Sequence, residues 1–339
     1  MDKLVLFNTE QLKSLLNKRP NESKFGEHVA VLPAVSNIYE QLINLDVEFV
    51  IIGLPEDVGV YANYGKPGTS AAYEATIKIL LNIQSNRFTN ARKTLILGHL
   101  NFEGEIEKLN QLDSTKKKDI SKARKMVGKM DTYVASVIHD IVKAGKKPII
   151  IGGGHNNAYG NIKGTSLALN TPVNAVNFDA HSDFRSEEGR HSGNGFSYAY
   201  SERFLKNYFV FGLHENYTSA SIFKTINNSK CVDYNTFEDI IIRKKLSFKS
   251  EMQRALKHVS HNPFGIEVDC DAIENIPSSA MSPSGFSVNH ARRFVDFFAR
   301  HKNAKYLHIC EAAPTPGNES QVGKLITYLI TDFIRANAS

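Results

Sequence analysis

Short apolar runs rich in β-branched residues recur along this chain, and each is followed by a polar loop and then by a helical pattern. Clear examples are VIIG at 50–53, LILG at 95–98, PIII at 148–151 and VNAVNF at 173–178. Mainly apolar runs of this kind are typical of strands that are buried on both faces of a parallel sheet. The order strand, loop, helix recurs at least six times. It predicts an α/β fold with a three-layer, doubly wound, mostly parallel sheet.

The length of the chain allows one large α/β domain or two smaller domains. Of its 339 residues, 42% are hydrophobic, so it can bury a large core. No Gly/Ser-rich or Pro-rich linker divides the sequence. We therefore expect a single domain over residues 1–339, in which residues 1–45 form an N-terminal helical extension.

Charge, hydropathy and cysteine usage exclude several classes of partner. The net charge of +6 is modest, and the densest basic run, 116–129, lacks the interleaved aromatic residues of a nucleic-acid site. No run reaches the roughly 18 apolar residues that cross a membrane, and the N-terminus lacks the core of a signal peptide. The three cysteines are far apart and form no CxxC pair, as expected in a reducing compartment. We expect a cytoplasmic protein with neither a nucleic-acid nor a membrane partner.

The segment NFDAHSDFR, residues 177–185, follows a predicted buried strand and contains three potential metal ligands. Asp179, His181 and Asp183 are two residues apart, so an extended backbone turns all three side chains towards the same side. Carboxylates this close repel one another unless a cation lies between them. The spacing favours a divalent metal site, and the alternative is an ordinary polar loop after a strand.

Three further potential ligands also follow predicted strands. His155 ends the glycine turn after residue 151, and Asp269 and Asp271 end the run GIEVDCD. The six side chains supply two imidazoles and four carboxylates, which is more acid than a four-coordinate zinc ion uses. Such a set suits two divalent ions and favours Mn²⁺, although Fe²⁺, Co²⁺, Ni²⁺ or Zn²⁺ can bind the same donors. Two adjacent ions can activate water between them, which indicates hydrolytic chemistry.

The motifs GGGH, NFDAHSD and EVDCD, each at a strand end and in this order, resemble those of the ureohydrolase superfamily. That superfamily contains arginases, agmatinases and formimidoylglutamases, and it shares its fold with metal-dependent deacetylases. The resemblance implies an arginase-like fold and two Mn²⁺ ions, the first held by His155, Asp179, Asp183 and Asp269. It assigns the second ion to Asp179, His181, Asp269 and Asp271. It also implies that Asp183 steers the attacking hydroxide and that Glu311 pairs with the amidine or guanidinium group of a substrate.

The sequence departs from the superfamily pattern in places that bear on the substrate. Gly154 stands where the superfamily usually has an aspartate, and His191 lies one residue before the position of the arginase proton shuttle. The stretches PEDVGV and SGNGF resemble the formimidoylglutamase branch. The resemblance therefore implies hydrolysis of N-formimino-L-glutamate to L-glutamate and formamide, with His191 or Ser192 in the shuttle position. Loop residues predicted to bind the substrate carboxylates are Arg190, Asn194, Ser192 and Asn63, with Lys66 as a further candidate.

Several alternatives stay open at this point. The chain could be a guanidine hydrolase of the arginase, agmatinase or guanidinobutyrase type, which would release urea from its small-molecule substrate. It could be a deacetylase-like hydrolase with a single metal ion. It could also be a catalytically silent binding or regulatory protein that keeps the fold, although the complete ligand set argues against this. The resemblance further implies a homo-oligomer.

Overall fold

The computed structural model describes residues 3–337, and one nine-stranded sheet runs through them. The strand order is β1-β3-β2-β4-β9-β8-β5-β6-β7, and every neighbouring pair is parallel except β1 with β3. The predicted fold class, a mostly parallel α/β sheet, is confirmed. The strands are β1 (Leu4–Leu6), β2 (Phe49–Gly53), β3 (Thr94–Leu100), β4 (Lys147–Ile151), β5 (Val173–Phe178), β6 (Leu205–Leu213), β7 (Val232–Thr236), β8 (Phe264–Asp269) and β9 (Ala304–Cys310).

Helices cover both faces of the sheet and bury two hydrophobic cores, which gives the three layers. One core packs beneath α1, α4, α10, α11 and α12, and the other beneath the remaining helices. No helix within residues 3–337 is both long enough and apolar enough to span a membrane. The helices are α1 (Thr9–Leu15), α2 (Ile38–Ile43), α3 (Val58–Ala62), α4 (Ala72–Leu80), α5 (Glu103–Leu109), α6 (Lys117–Lys143), α7 (Asn157–Leu169), α8 (Gly195–Ser201), α9 (Ala220–Asn227), α10 (Phe248–Val259), α11 (Val288–Ala299) and α12 (Glu319–Asn337).

The N-terminal extension differs from the prediction because it contributes a strand as well as helices. Leu4–Leu6 pairs with β3 as the antiparallel edge of the sheet, and α1 and α2 follow it. Three residues are too few to show a strand period in sequence. Their strand conformation depends on the free edge of β3, which supplies the hydrogen-bonding partners.

The four central strands β4, β9, β8 and β5 are neighbours and run in the same direction. Their carboxyl ends therefore meet at one edge of the sheet, although they come from four separate parts of the chain. Each strand of this group is followed by predicted ligands or by Glu311. In open parallel sheets, ligands bind at this edge. The topology thus determines which polar residues are brought together.

Candidate metal centre

The six predicted ligands lie together at the carboxyl ends of β4, β5 and β8. Of the three groups within residues 3–337 whose candidate ligand atoms all lie within 4.8 Å of one another, two consist entirely of these predicted ligands. Asp179 belongs to both groups, whereas Asp269 belongs to the first group only. The first group is His155, Asp179, Asp183 and Asp269, and the second is Asp179, His181 and Asp271.

His155 reaches the cluster through a turn that requires glycine. Gly152 and Gly153 have φ angles of 85° and 74°, a region that residues with a Cβ rarely adopt. The buried carboxylate of Glu56 accepts hydrogen bonds from the backbone N–H of Gly154 at 2.9 Å and from Asn157 Nδ2 at 2.8 Å. This carboxylate therefore stabilises the turn and so determines the position of His155 in the site.

Gly154 is explained by its surroundings. A Cβ at this position would lie 2.6 Å from Asn156 Oδ1 and 2.9 Å from Val60 Cγ2, which is closer than real Cβ contacts. A side chain such as aspartate would therefore require the side chains of Asn156 and Val60 to shift. The adjacent candidate ligand His155 does not need a side chain at residue 154 to hold it, because its backbone N–H donates to Glu311 Oε1 at 2.7 Å.

The carboxylates of Asp179 and Asp269 each accept a hydrogen bond from the backbone N–H two residues further along the chain. Asp179 Oδ1 accepts from His181 N at 2.6 Å, and Asp269 Oδ1 accepts from Asp271 N at 2.8 Å. Asn177 Nδ2 also donates to Asp179 Oδ2 at 2.8 Å. These bonds are local Asx-type contacts that form as the chain leaves a strand. They orient both carboxylates before any ligand binds.

The electrostatics of the cluster favour a cation. Burial raises the pKa of Asp183, and the charge of Asp179 raises it further. Burial and the neighbouring Asp271 and Asp179 raise the pKa of Asp269 in the same way. Burial lowers the pKa of His181, but the surrounding carboxylates outweigh it and hold that pKa well above its usual value. Crowded acids of this kind are stabilised when a metal ion supplies the positive charge.

Unpartnered atoms support the same conclusion. Nδ1 of His155 and Oδ1 of Asp271 are buried and have no hydrogen-bond partner within residues 3–337. Nδ1 of His155 faces Oδ2 of Asp183 at 2.8 Å and Oδ2 of both Asp179 and Asp269 at 3.2 Å. Buried polar atoms are seldom left unsatisfied, and an imidazole among carboxylates is a donor set of Mn²⁺ and related ions. The residues present therefore fit two divalent ions that share Asp179.

A cavity of about 1010 Å³ opens above the cluster. His181, Asp183, Asp269 and Asp271 border it, and so does Glu311 from the end of β9. Many of the other lining side chains are hydroxyls, and the wall includes Asn63, Tyr200, Ser192, Ser219, Ser279 and Tyr217. The predicted ligands and Glu311 therefore face a polar space that is large enough for a small metabolite.

Glu311 is held in a strained backbone conformation at the border of this cavity. Its φ angle is 61°, which is uncommon for a residue with a Cβ, and Asp183 has a φ of 44°. The carboxylate accepts from the backbone of His155 and from Ser279 Oγ. Burial raises its pKa to about 8, and the charge of Asp271 acts in the same direction. A buried acid like this is stabilised as the anion when a cationic group approaches it.

The structure places Arg190 and Asn194 away from the cavity, so their predicted contact with a substrate is wrong. Arg190 is buried, and its Nε donates to Asp131 Oδ2 at 2.9 Å. Its Nη1 donates to Asn194 Oδ1 at 2.6 Å, and its Nη2 donates to the carbonyl of Asn156 at 2.8 Å. The pair links α6 to the loop that follows His155, so its role is structural.

His191 is also buried outside the cavity, and the predicted proton shuttle does not fit this position. Its Nδ1 accepts from Gly193 N at 3.1 Å, so the neutral ring carries its proton on Nε2, which lies 3.3 Å from Glu188 Oε1. Burial lowers the pKa of His191 to about 3, and the charges of Arg185 and two further arginines act in the same direction. The ring caps a turn and stays neutral.

The buried neutral state of His191 predicts acid-sensitive stability. In the unfolded chain a histidine has a pKa of about 6.5. Below that pH the unfolded state takes up a proton that the folded state does not, so stability is complete above pH 6.5 and falls as the pH drops towards 3. Between pH 7 and pH 5 we expect wild type to lose about 2 kcal/mol more than His191→Gln, which cannot titrate.

Urea unfolding of the two metal-free proteins at pH 5, 6 and 7 measures this difference. The other histidines titrate in both proteins, so they cancel in the comparison. Identical pH dependence in wild type and in His191→Gln would contradict the neutral, buried state of this ring.

Arg185 lines the cavity and was not singled out from the sequence. Its side chain is 48% exposed, and its Nη1 donates to Asn63 Oδ1 at 2.7 Å. Asn63 Nδ2 in turn donates to Ser192 Oγ at 3.1 Å, so these two predicted residues do border the cavity. The sequence signal for Arg185 was its position at the end of the ligand segment NFDAHSDFR, because Phe184 and Arg185 both line the cavity next to the candidate ligands. Lys66 is exposed and lies outside the residues that line this space.

The sequence also matches a known protein family. A family model described as the arginase family matches residues 47–335. The chain belongs to the arginase family. The match begins before β2 and ends within α12, so it contains every strand except β1 and all the candidate ligands. A formimidoylglutamase of Streptococcus pyogenes is 26% identical over 291 residues, which are 83% of this chain and 82% of that protein.

Solved structures show the same fold. A Trypanosoma cruzi formiminoglutamase solved with Mn²⁺ superposes with a TM-score of 0.72 at 18% identity, covering 94% of this chain and 99% of that one. A Bacillus subtilis formimidoylglutamase gives a TM-score of 0.73 at 17% identity, covering 94% of this chain and 93% of that one. The shared fold therefore extends over nearly the whole length of this arginase-family chain.

Proposed function

We propose that this arginase-family chain is a formimidoylglutamase, a metal-dependent hydrolase that converts N-formimino-L-glutamate and water to L-glutamate and formamide. The observation that supports it best is the opposed charge of the cavity. Its floor is formed by carboxylates, and its wall contains the guanidinium of Arg185. The relative from Streptococcus pyogenes has the name of this activity, and it aligns over most of both chains.

The substrate has a cationic amidine on its α-nitrogen, one carboxylate on the adjacent α-carbon and a second at the end of its side chain. A cavity with both acidic and basic groups suits this distribution of charge. Glu311 can bind the amidine, because a carboxylate has about four acceptor positions and two remain after its bonds to His155 and Ser279. Charge-assisted hydrogen bonds of this kind are short and strong. Arg185 retains free N–H groups on its exposed side, and these can bind a substrate carboxylate.

The proposed metal ligands divide between two ions. His155, Asp179, Asp183 and Asp269 would hold the first ion, and His181 and Asp271 would hold the second together with Asp179. Two bound ions would lower the pKa of a shared water and so supply the nucleophile at neutral pH. Asp183 borders both the cluster and the cavity, so it can accept the proton of that water and orient it towards the imino carbon.

A guanidine hydrolase that releases urea is the competing activity. Its simplest substrates, such as agmatine, have no carboxylate, so they would leave Arg185 in the cavity wall without a partner. The purified, Mn²⁺-loaded protein should release formamide from N-formimino-L-glutamate, and this is measured directly together with the glutamate produced. Urea from arginine or agmatine without any formamide would overturn the proposal, as would the absence of hydrolysis by metal-loaded protein.

We also propose a cellular compartment and an oligomeric state for the enzyme. The three cysteines are free, and Cys270 and Cys310 are fully buried, which is consistent with the reducing cytoplasm. A homo-oligomer remains a proposal from the family resemblance. Light scattering of the purified protein measures the assembly directly, and a mass equal to one chain would contradict it.

A further inference from the structure

The cluster has a second layer of polar residues beneath it, on the face of β8 and β9 that also holds Asp269. Strand register places Glu267 opposite His308 and Gly265 opposite Tyr306. Glu267, Tyr306 and His308 are all completely buried. None of them borders the cavity, so none can touch a substrate. A carboxylate this deep needs a specific function or a specific set of partners.

Glu267 has two hydrogen-bond partners and one further neighbour at ion-pair distance. Tyr306 Oη donates to Oε1 at 2.7 Å, and His308 Nδ1 lies 2.5 Å from Oε2. The third neighbour is His155, whose Nε2 lies 3.6 Å from Oε2. A carboxylate can accept from the hydroxyl and from both rings, and its charge strengthens each of these contacts, whereas a neutral amide of the same shape lacks that charge.

Gly265 makes this arrangement possible. A Cβ at this position would lie 2.0 Å from Cζ and 2.3 Å from Oη of Tyr306. The ring of Tyr306 therefore crosses the backbone of β8 at the one point without a side chain, and its hydroxyl reaches Glu267 two residues later. Alternate residues of β8 therefore share one face. Gly265 leaves space for the ring of Tyr306, Glu267 supplies the carboxylate, and Asp269 is a candidate metal ligand.

The two nitrogens of His155 face opposite partners. Nδ1 faces the carboxylates of Asp179, Asp183 and Asp269, while Nε2 faces Glu267. An imidazole can bind a metal ion only through a nitrogen that has no proton, and a carboxylate on the other nitrogen fixes which tautomer is present. We propose that Glu267 is a positioning residue, held by Tyr306 and His308, that keeps Nδ1 of His155 turned towards the first metal ion. This inference rests on the proposed metal centre and does not depend on the substrate.

The variant Glu267→Gln tests the proposal with almost no change of volume. The neutral amide removes the negative charge that faces Nε2 of His155, so we expect the support of His155 to be lost. Loss of such a partner typically lowers metal affinity about 10- to 100-fold. The effect should be confined to the first ion, because His181 and Asp271 do not contact Glu267. At a free Mn²⁺ concentration that just saturates wild type, bound metal should fall from two ions per chain to one. The electron paramagnetic resonance spectrum should change from a coupled pair to an isolated Mn²⁺ ion.

Tyr306→Phe is a milder variant that tests how Glu267 itself is held. It removes one buried hydrogen bond from Oε1, but it leaves Oε2 in place beside His155. We expect it to weaken the first ion less than Glu267→Gln does, and to leave the second ion with wild-type affinity. Equal binding of both ions by Glu267→Gln would overturn the proposal, and so would equal weakening of the two ions, since that indicates a general disturbance.

Glu267→Asp provides the second variant should Glu267→Gln not fold. It keeps the charge, but its carboxylate is withdrawn by one methylene from a contact that already measures 3.6 Å. A selective loss of the first ion is expected again, and unchanged affinity for that ion would overturn the proposal. Metal content is the readout, so a failure of formamide release would leave this test unaffected.

Discussion

Replacing Asp179 with asparagine should abolish both metal binding and hydrolysis. Asp179 is the one candidate ligand that belongs to both groups of donors, and it is completely buried. An asparagine has one oxygen in place of two anionic oxygens, so it cannot serve two cations. We expect kcat/KM to fall by at least about 1,000-fold, which corresponds to about 4 kcal/mol of transition-state stabilisation.

Metal-linked stability separates this effect from misfolding. A ligand that binds only the folded state stabilises it by about 2.7 kcal/mol at a hundred times its Kd. Wild type should therefore melt at a higher temperature when Mn²⁺ is added, and Asp179→Asn should not. The two metal-free proteins should melt at similar temperatures, because asparagine loses one anionic acceptor but also relieves the repulsion with Asp183 and Asp269.

Asp296→Asn on α11 is the matched control, because this residue pairs with Arg300 at the surface and lies outside the cavity. It should bind two Mn²⁺ ions and hydrolyse the substrate at the wild-type rate. Full Mn²⁺ binding by Asp179→Asn would contradict the shared role of Asp179, and full hydrolysis with no bound metal would contradict the mechanism.

The sequence was sufficient to predict most of the parallel strands, among them β2 to β5 and β8, and the gathering of the six candidate ligands. Two regularities made this possible. Buried parallel strands have a recognisable apolar pattern, and parallel strands place their carboxyl ends at one edge. Ligands separated by more than a hundred residues, such as His155 and Asp271, could therefore be assigned to one place without knowledge of the strand order.

The loop residues could not be predicted in the same way, since a loop has no period that fixes the direction of a side chain. Arg190 and His191 follow the ligand loop and have suitable chemistry, yet both turn inwards. The cause lies elsewhere in the chain, because Asp131 on α6 binds Arg190 and Gly193 N binds the ring of His191. Glu267 illustrates a related limit, since its partners Tyr306 and His308 come from a different strand.

Arg185 faces the cavity, in contrast to Arg190 and His191, and we expect its replacement to affect substrate binding specifically. It is the guanidinium that lines the cavity, and it is only partly occupied by Asn63 and by Glu188, whose Oε1 lies 3.4 Å from its Nη2. A hydrogen bond to a charged group contributes about 1.5–3 kcal/mol. Arg185→Gln should therefore raise KM for N-formimino-L-glutamate by about 10- to 100-fold, because one tenfold change corresponds to about 1.4 kcal/mol. Its kcat should change much less, since neither carboxylate of the substrate takes part in breaking the C–N bond.

A truncated substrate makes the test of Arg185 sharp. An N-alkyl formamidine has the same reacting group without carboxylates, so wild type and Arg185→Gln should hydrolyse it with equal kcat/KM. Arg92→Gln, at an exposed position outside the cavity, is the matched control and should behave as wild type with both substrates. If Arg185→Gln loses the same factor with both substrates, the arginine acts on the shape of the site. The carboxylate-binding role would then be wrong even if the metal centre and the amidine chemistry are correct.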